Sequence, residues 1–263
     1  PYTNGKLKLM DWRSGEIKDL TKELDRDVEN PQWLDNSNLV IQFDDKGKRT
    51  LSSLSLSGKL EQITDQLSGA GLPQPYLSGE YSVANEVIAF TQGNAQRPAD
   101  VAVIANGKTR TLTALNEDVL GHKKLGQVHE INYKSSFDGE PIQGWYITPP
   151  DFDPKKKYPV LLNVHGGPHT QYGETFFDEA QMQAAAGFVV LMSNPRGSSG
   201  REQAWGQAIL GRKHPVAPGT GWGDADVKDV LAVLDGALAK YSFCDADRVG
   251  MLGGSYGGYM ATM

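Results

Sequence analysis

Six residues near the end of the sequence, Gly253-Gly254-Ser255-Tyr256-Gly257-Gly258, restrict the possible fold more than any others. They follow a short apolar run, Val249 to Leu252, and precede small, helix-compatible residues. The spacing Gly-x-Ser-x-Gly therefore falls between an expected strand and an expected helix. A serine at such a junction stands on a tight, strained turn with its hydroxyl clear of the sheet, as a nucleophile must. Gly253 and Gly257, two before and two after it, let the backbone make that turn without a Cβ. The N–H of Tyr256 then lies at a helix N-terminus, placed to donate to a developing oxyanion. An ordinary serine in a glycine-rich turn would show the same five-residue spacing, so the upstream sequence has to decide.

Upstream, residues 124–263 alternate strand and helix. Gln127–Lys134 and Ile142–Thr148 read as a hairpin around the Phe137-Asp138-Gly139-Glu140 turn. Pro159–Val164 and Phe188–Met192 are short apolar runs of the kind found in strands buried on both faces. Glu174–Ala186 predicts a helix with Phe177, Ala180, Ala184 and Ala185 on one face and Gly187 as its stop. Asp224–Lys240 predicts a second, with Val227, Val230, Leu231, Leu234 and Leu238 at helical spacing. Strand–helix–strand–helix–strand implies a mostly parallel, doubly wound sheet, and with the serine turn an α/β hydrolase.

A second motif, His165-Gly166-Gly167-Pro168, follows the first buried strand. Glycines here let main-chain N–H groups approach a substrate oxygen, and Gly167 is the expected second oxyanion donor beside Tyr256. In this turn's usual chain order the acid and the base follow the serine, so His165 is expected to organise its loop. The same order sets aside His122, His129, His169 and His214, none of which has metal-ligand spacing. No metal or cofactor is expected. Arg196, in Asn194-Pro195-Arg196-Gly197-Ser198-Ser199-Gly200, could contact substrate or hold its loop, and the structural role is favoured.

Residues 1–123 repeat. Ser14-Gly15-Glu16, Ser57-Gly58-Lys59 and Asn106-Gly107-Lys108 each follow an alternating stretch, and each glycine is followed six residues later by Thr21, Thr64 or Thr113. The glycines stand 43 and 49 residues apart. A repeat in the forties made of short strands indicates β-propeller blades, here the C-terminal ones, with Trp33 as a blade-packing aromatic. A small open β-sandwich is the alternative, at the expense of exposed edges.

With 39% hydrophobic and 22% charged residues and a net charge of −6, the chain is an ordinary soluble composition without a nucleic-acid or anionic-membrane patch. Its single cysteine, Cys244, precludes an internal disulfide and suits a reducing, cytoplasmic compartment. Homo-oligomerisation is left open.

His165–Pro168, Asn194–Gly200 and Gly253–Tyr259, in that order and spacing, resemble the catalytic domain of the prolyl oligopeptidase family, in its acylaminoacyl-peptidase and dipeptidyl-peptidase-like branch. The resemblance implies two domains, the end of a propeller over 1–123 and the first part of a hydrolase domain over 124–263. It implies an acyl-enzyme on Ser255, short peptides as substrates, and a triad Asp and His beyond Met263, so that residues 1–263 alone are expected to be inactive. A carboxylesterase, or a propeller binding protein with an inactive hydrolase domain, remains open on the same motifs. Where relatives carry a short Asp-Trp-Gly-Gly-like link before the long helix, this chain has Arg212–Gly223, with Trp222-Gly223 still matching.

Overall fold

Alternating apolar residues and positive-φ turns shape the first 111 residues. A computed structural model describes residues 2–69 and 76–263. The chain begins with a hairpin of β1 (Lys8–Met10) and β2 (Ile17–Asp19). An antiparallel meander follows, formed by β3 (Glu29–Trp33), β4 (Asn38–Asp45), β5 (Lys48–Ser55) and β6 (Leu60–Thr64). A second is built from β7 (Tyr81–Ala84), β8 (Val87–Asn94), β9 (Arg97–Ala105) and β10 (Lys108–Thr111). The three repeated glycines, Gly15, Gly58 and Gly107, sit at φ of 75°, 92° and 69°, where a side chain would be strained. Thr21 and Thr113 play equivalent parts, their hydroxyls accepting from Leu7 N–H and Val101 N–H at 2.9 Å each.

The sheets stack face to face, and parity along the strands explains it. Leu39, Ile41 and Phe43 of β4 pack with Leu20 and Leu54 beneath the first hairpin. Val40 and Leu51 point the other way, into Ile88, Phe90, Ala102 and Ile104 of the second meander. Period-two side-chain alternation thus buries the central sheet on both faces. Trp33 takes no part in this packing. It is half exposed, contrary to the sequence expectation, because Leu34 fills the space beside the core.

After α1 (Glu117–Leu120) come β11 (Val128–Lys134), β12 (Pro141–Ile147), β13 (Tyr158–Val164), α2 (Asp178–Ala185), β14 (Val189–Asn194), α3 (Gln203–Gln207), α4 (Ala225–Lys240), β15 (Cys244–Gly253) and α5 (Tyr256–Ala261). The five strands form one sheet in the order β11-β12-β14-β13-β15. Only the β14-β13-β15 part is parallel, so among the described strands the sheet is mixed rather than mostly parallel. The hairpin β11-β12 supplies the antiparallel edge. Trp145, Ile147, Val190 and Met192 pack on one face with Ala180 and Ala184 of α2. Ile142, Val160, Leu162 and Leu191 pack on the other with Val230, Val233 and Ala237 of α4 and Met260 of α5. Helices therefore cover both faces, as a doubly wound sheet requires.

Both long helices differ in detail from their sequence patterns. Residues 174–177 lie outside the helix, held by tertiary bonds: Glu174 N–H donates to Gly47 O at 2.8 Å, and Thr175 Oγ1 meets Ser68 Oγ at 2.9 Å. Ala185 is exposed, and the buried place goes to Gln181, whose amide accepts from Gly126 N–H at 2.8 Å and donates to Gly126 O at 3.1 Å. In α4 the fully buried stripe is Asp226, Asp229, Val230, Val233 and Ala237, while Leu231 is 39% exposed. Val227, Leu234 and Leu238 still pack half-buried against the same core, and two carboxylates join this face.

The two halves meet at the β4–β5 turn. Lys46 N–H donates to Gly200 O and Gly47 N–H to Gln171 Oε1, at 2.8 and 2.9 Å. Gln143 Nε2 donates to Lys46 O at 2.8 Å. Gly47 has φ +80°, and a Cβ there would come within 2.5 Å of the buried Trp145 ring.

Candidate active site

Strand register brings the two glycine motifs together. Val164, the last residue of β13, pairs in parallel with Gly253, the last of β15. His165-Gly166-Gly167-Pro168 and Gly254-Ser255-Tyr256 therefore leave the same end of the sheet side by side, the end where α/β sheets bind ligands.

Ser255 has φ 57° and ψ −118°, a conformation that a non-glycine residue holds only when its surroundings enforce it. Two of the four flanking glycines do the enforcing. A Cβ on Gly257 would lie 2.0 Å from Val164 O, and one on Gly253 would lie 2.3 Å from the Gly257 backbone. Gly254 has nothing within 4 Å of its Cβ position, and Gly258 meets Gly253 O at 3.3 Å. The tight turn is closed by Gly257 N–H donating to Gly254 O at 2.9 Å. Ser255 is exposed and opens into a cavity of about 540 Å³ shared with Tyr76, His165, Gly166, Tyr172, Phe177 and Leu252.

Of the two expected donors, Tyr256 begins α5 directly after Ser255, and its N–H has no acceptor among the described residues. Gly167 sits at φ +108°, and its N–H likewise has none. It is Gly166 that lines the cavity, and the Gly166 N–H donates to the Tyr76 hydroxyl at 3.1 Å. A Cβ on Gly166 would be 2.7 Å from that hydroxyl and 3.6 Å from Ser255 Cβ, so the phenol and the serine flank a gap one methyl group wide.

His165 organises its loop. It is buried, with Nδ1 2.7 Å from Gly166 O and Nε2 2.9 Å from Ser198 Oγ. Desolvation lowers its pKa to about 4, so it is neutral at pH 7. No histidine hydrogen-bonds Ser255 among the described residues. Arg196 is also a loop-holder. Its guanidinium lies 2.5 Å from Asp138 and 3.4 Å from the fully buried Asp229, its N–H donates to Asp229 at 2.9 Å, and its planar head packs over Phe137.

Two residues near the site had no functional signal in the sequence. Tyr76 lies far from both motifs. Asp226 reads as an ordinary first-turn acid, yet its carboxylate accepts the Tyr256 phenol at 2.8 Å, while Trp222 packs edge-on against the same ring.

A sheet flanked by helices on both faces, with a strained serine on its strand-to-helix turn, defines an α/β hydrolase. Residues 174–263 match the model of the prolyl oligopeptidase family. It is 29% identical to the uncharacterized peptidase YuxL of Bacillus subtilis over 98% of its own length and 39% of that protein's. With dipeptidyl-peptidase 5 of Porphyromonas gingivalis it shares 28% over 97% of its length and 35% of the relative's. The solved acylaminoacyl peptidase of Pyrococcus horikoshii superposes with a TM-score of 0.81 at 26% identity, covering 99% of this chain and 38% of that one. The chain thus spans well under half the length of the proteins it matches.

Proposed function

We propose that the protein containing this chain is a serine peptidase that releases short or blocked N-terminal units from peptides through an acyl-enzyme on Ser255. The observation that carries this reading is the strained, exposed Ser255 between Gly253 and Gly257, beside the His165–Pro168 loop. In the proposed reaction Ser255 Oγ attacks the substrate carbonyl and its proton passes to a base, which returns it to the departing amine. The N–H groups of Gly167 and Tyr256, neither of which has an acceptor among the described residues, stabilise the oxyanion. We assign the acid and the base to sequence beyond Met263, following the Ser…Asp…His order of this fold. Residues 1–123 are read as the last blades of a β-propeller, which the stacked four-stranded meanders support, and 124–263 as the first part of the catalytic domain. The names of the dipeptidyl-peptidase and acylaminoacyl-peptidase relatives favour peptides over esters.

Full-length protein treated with a fluorophosphonate is expected to carry the label on Ser255, and Ser255→Ala to abolish both label and turnover. Peptide and ester substrates are then compared by kcat/KM. An unlabelled Ser255 in folded full-length protein would refute the nucleophile, and a higher kcat/KM on esters would make it an esterase.

A further inference from the structure

We propose that Asp226 is a positioning residue that holds the Tyr256 peptide unit in its oxyanion-facing orientation, and that it joins the 212–223 loop to the site. This rests on Ser255 being the nucleophile. The turn cannot hold its own shape, because the Ser255 backbone lies where a side chain is strained and Gly254 is unconstrained by any neighbour. The orientation of the Ser255–Tyr256 peptide is then set by whatever fixes its two ends. On the Ser255 side that is Gly253, which pairs with Val164 of β13 and packs on the Gly257 backbone. On the Tyr256 side it is the side chain, which is 1% exposed and bonded through its phenol to Asp226 Oδ2 at 2.8 Å.

Asp226 is itself immobile. It is fully buried at the start of α4, and its Oδ1 accepts the N–H groups of Gly223, Asp224 and Val227 at 2.9, 2.9 and 3.0 Å. Three backbone donors on one carboxylate oxygen fix that group against the helix N-terminus, where negative charge is favoured. Gly223 closes the 212–223 loop, and the preceding Trp222 packs on the Tyr256 ring with centroids 4.9 Å apart. The 212–223 loop therefore reaches the residue after the nucleophile directly through Trp222 and indirectly from Gly223 through Asp226.

The test uses full-length protein carrying Asp226→Asn, Tyr256→Phe or both, with Asp224→Asn as a control that breaks only the exposed pairs to Arg212 and Lys228. Misplacement of a transition-state donor by about 1 Å costs on the order of 10²-fold. Tyr256→Phe keeps ring and backbone, and it is expected to lower kcat and the rate of Ser255 phosphonylation roughly 10- to 100-fold with KM within about twofold. Asp226→Asn should match it, the double variant should be no worse than the poorer single one, and Asp224→Asn should stay within about twofold. Tyr256→Phe with wild-type kcat overturns the inference while Ser255 remains labelled, as does a loss expressed wholly in KM. If Asp226→Asn does not fold, Tyr256→Phe decides alone. Absence of label in wild type removes the nucleophile and this inference together.

Discussion

The Gly-x-Ser-x-Gly spacing singles out Gly253 and Gly257 among the four glycines around Ser255, and the packing separates the same pair from Gly254 and Gly258. In Gly257→Ala the new methyl would stand 2.0 Å from Val164 O and 2.9 Å from its carbon. Contacts under 3.0 Å are essentially never seen, so α5 and the end of β13 must part by about 1 Å. Both partners are backbone, with no flexible side chain to give way. Overpacking of this kind costs about 3 kcal/mol or somewhat more. The same displacement carries Ser255 away from its donors, which should slow acylation by on the order of 10²-fold. Gly253→Ala should behave alike, its methyl falling 2.3 Å from Gly257. Gly254→Ala meets nothing within 4 Å and should label at close to the wild-type rate. The assay is the fluorophosphonate labelling rate of full-length variants beside their thermal midpoints. Gly257→Ala labelling at the wild-type rate, or Gly254→Ala failing as badly as Gly257→Ala, would refute the packing account.

Two further outcomes follow from buried charge. His165 is neutral in the fold with its pKa lowered to about 4, whereas the unfolded chain takes up a proton near 6.5. Stability should therefore fall by about 3 kcal/mol as pH drops from 6.5 to 4, with no effect above 6.5. In His165→Gln that part of the acid-side slope should disappear from the pH dependence of the thermal midpoint, and an unchanged slope would refute it. Arg196→Ala leaves the fully buried Asp229 without its ion-pair partner and should destabilise by about 3–5 kcal/mol, measured by urea unfolding. Adding Asp229→Asn should recover much of that loss, and labelling of Ser255 in the folded fraction should persist. A loss below about 1 kcal/mol would return Arg196 to a substrate-contacting role.

The strands and the serine turn were legible because their signals are local. A run such as Pro159–Val164 needs no partner to be recognised, and the glycine spacing around Ser255 is itself the geometry. What escaped depends on contacts distant in sequence. Residues 174–177 have a helical pattern, yet bonds to Gly47 and Ser68 hold them out of the helix. The aliphatic spacing of α4 concealed that Asp226 and Asp229 face inward, since an acid's burial depends on partners such as Tyr256 and Arg196. Tyr76 joins the Gly166 amide across 90 positions, and no pattern within a window of sequence could show it. Asp226, like Tyr76, lies in neither motif, although each bonds to a residue within one.

The corner at Lys46 and Gly47 joins the two halves differently from their contact beside the serine. Among the described residues, Lys46 N–H to Gly200 O and Glu174 N–H to Gly47 O are the backbone-to-backbone bonds between the two halves. The remaining hydrogen bonds between them, such as Asn4 to Gln203, Ser68 to Thr175 and Tyr76 to Gly166, each use a side chain. Side chains can swing through several ångströms by changing rotamer, whereas a peptide locked against a buried tryptophan cannot. The halves are thus tied by main chain at this corner, whereas the Tyr76 contact beside Ser255 ties them through a side chain.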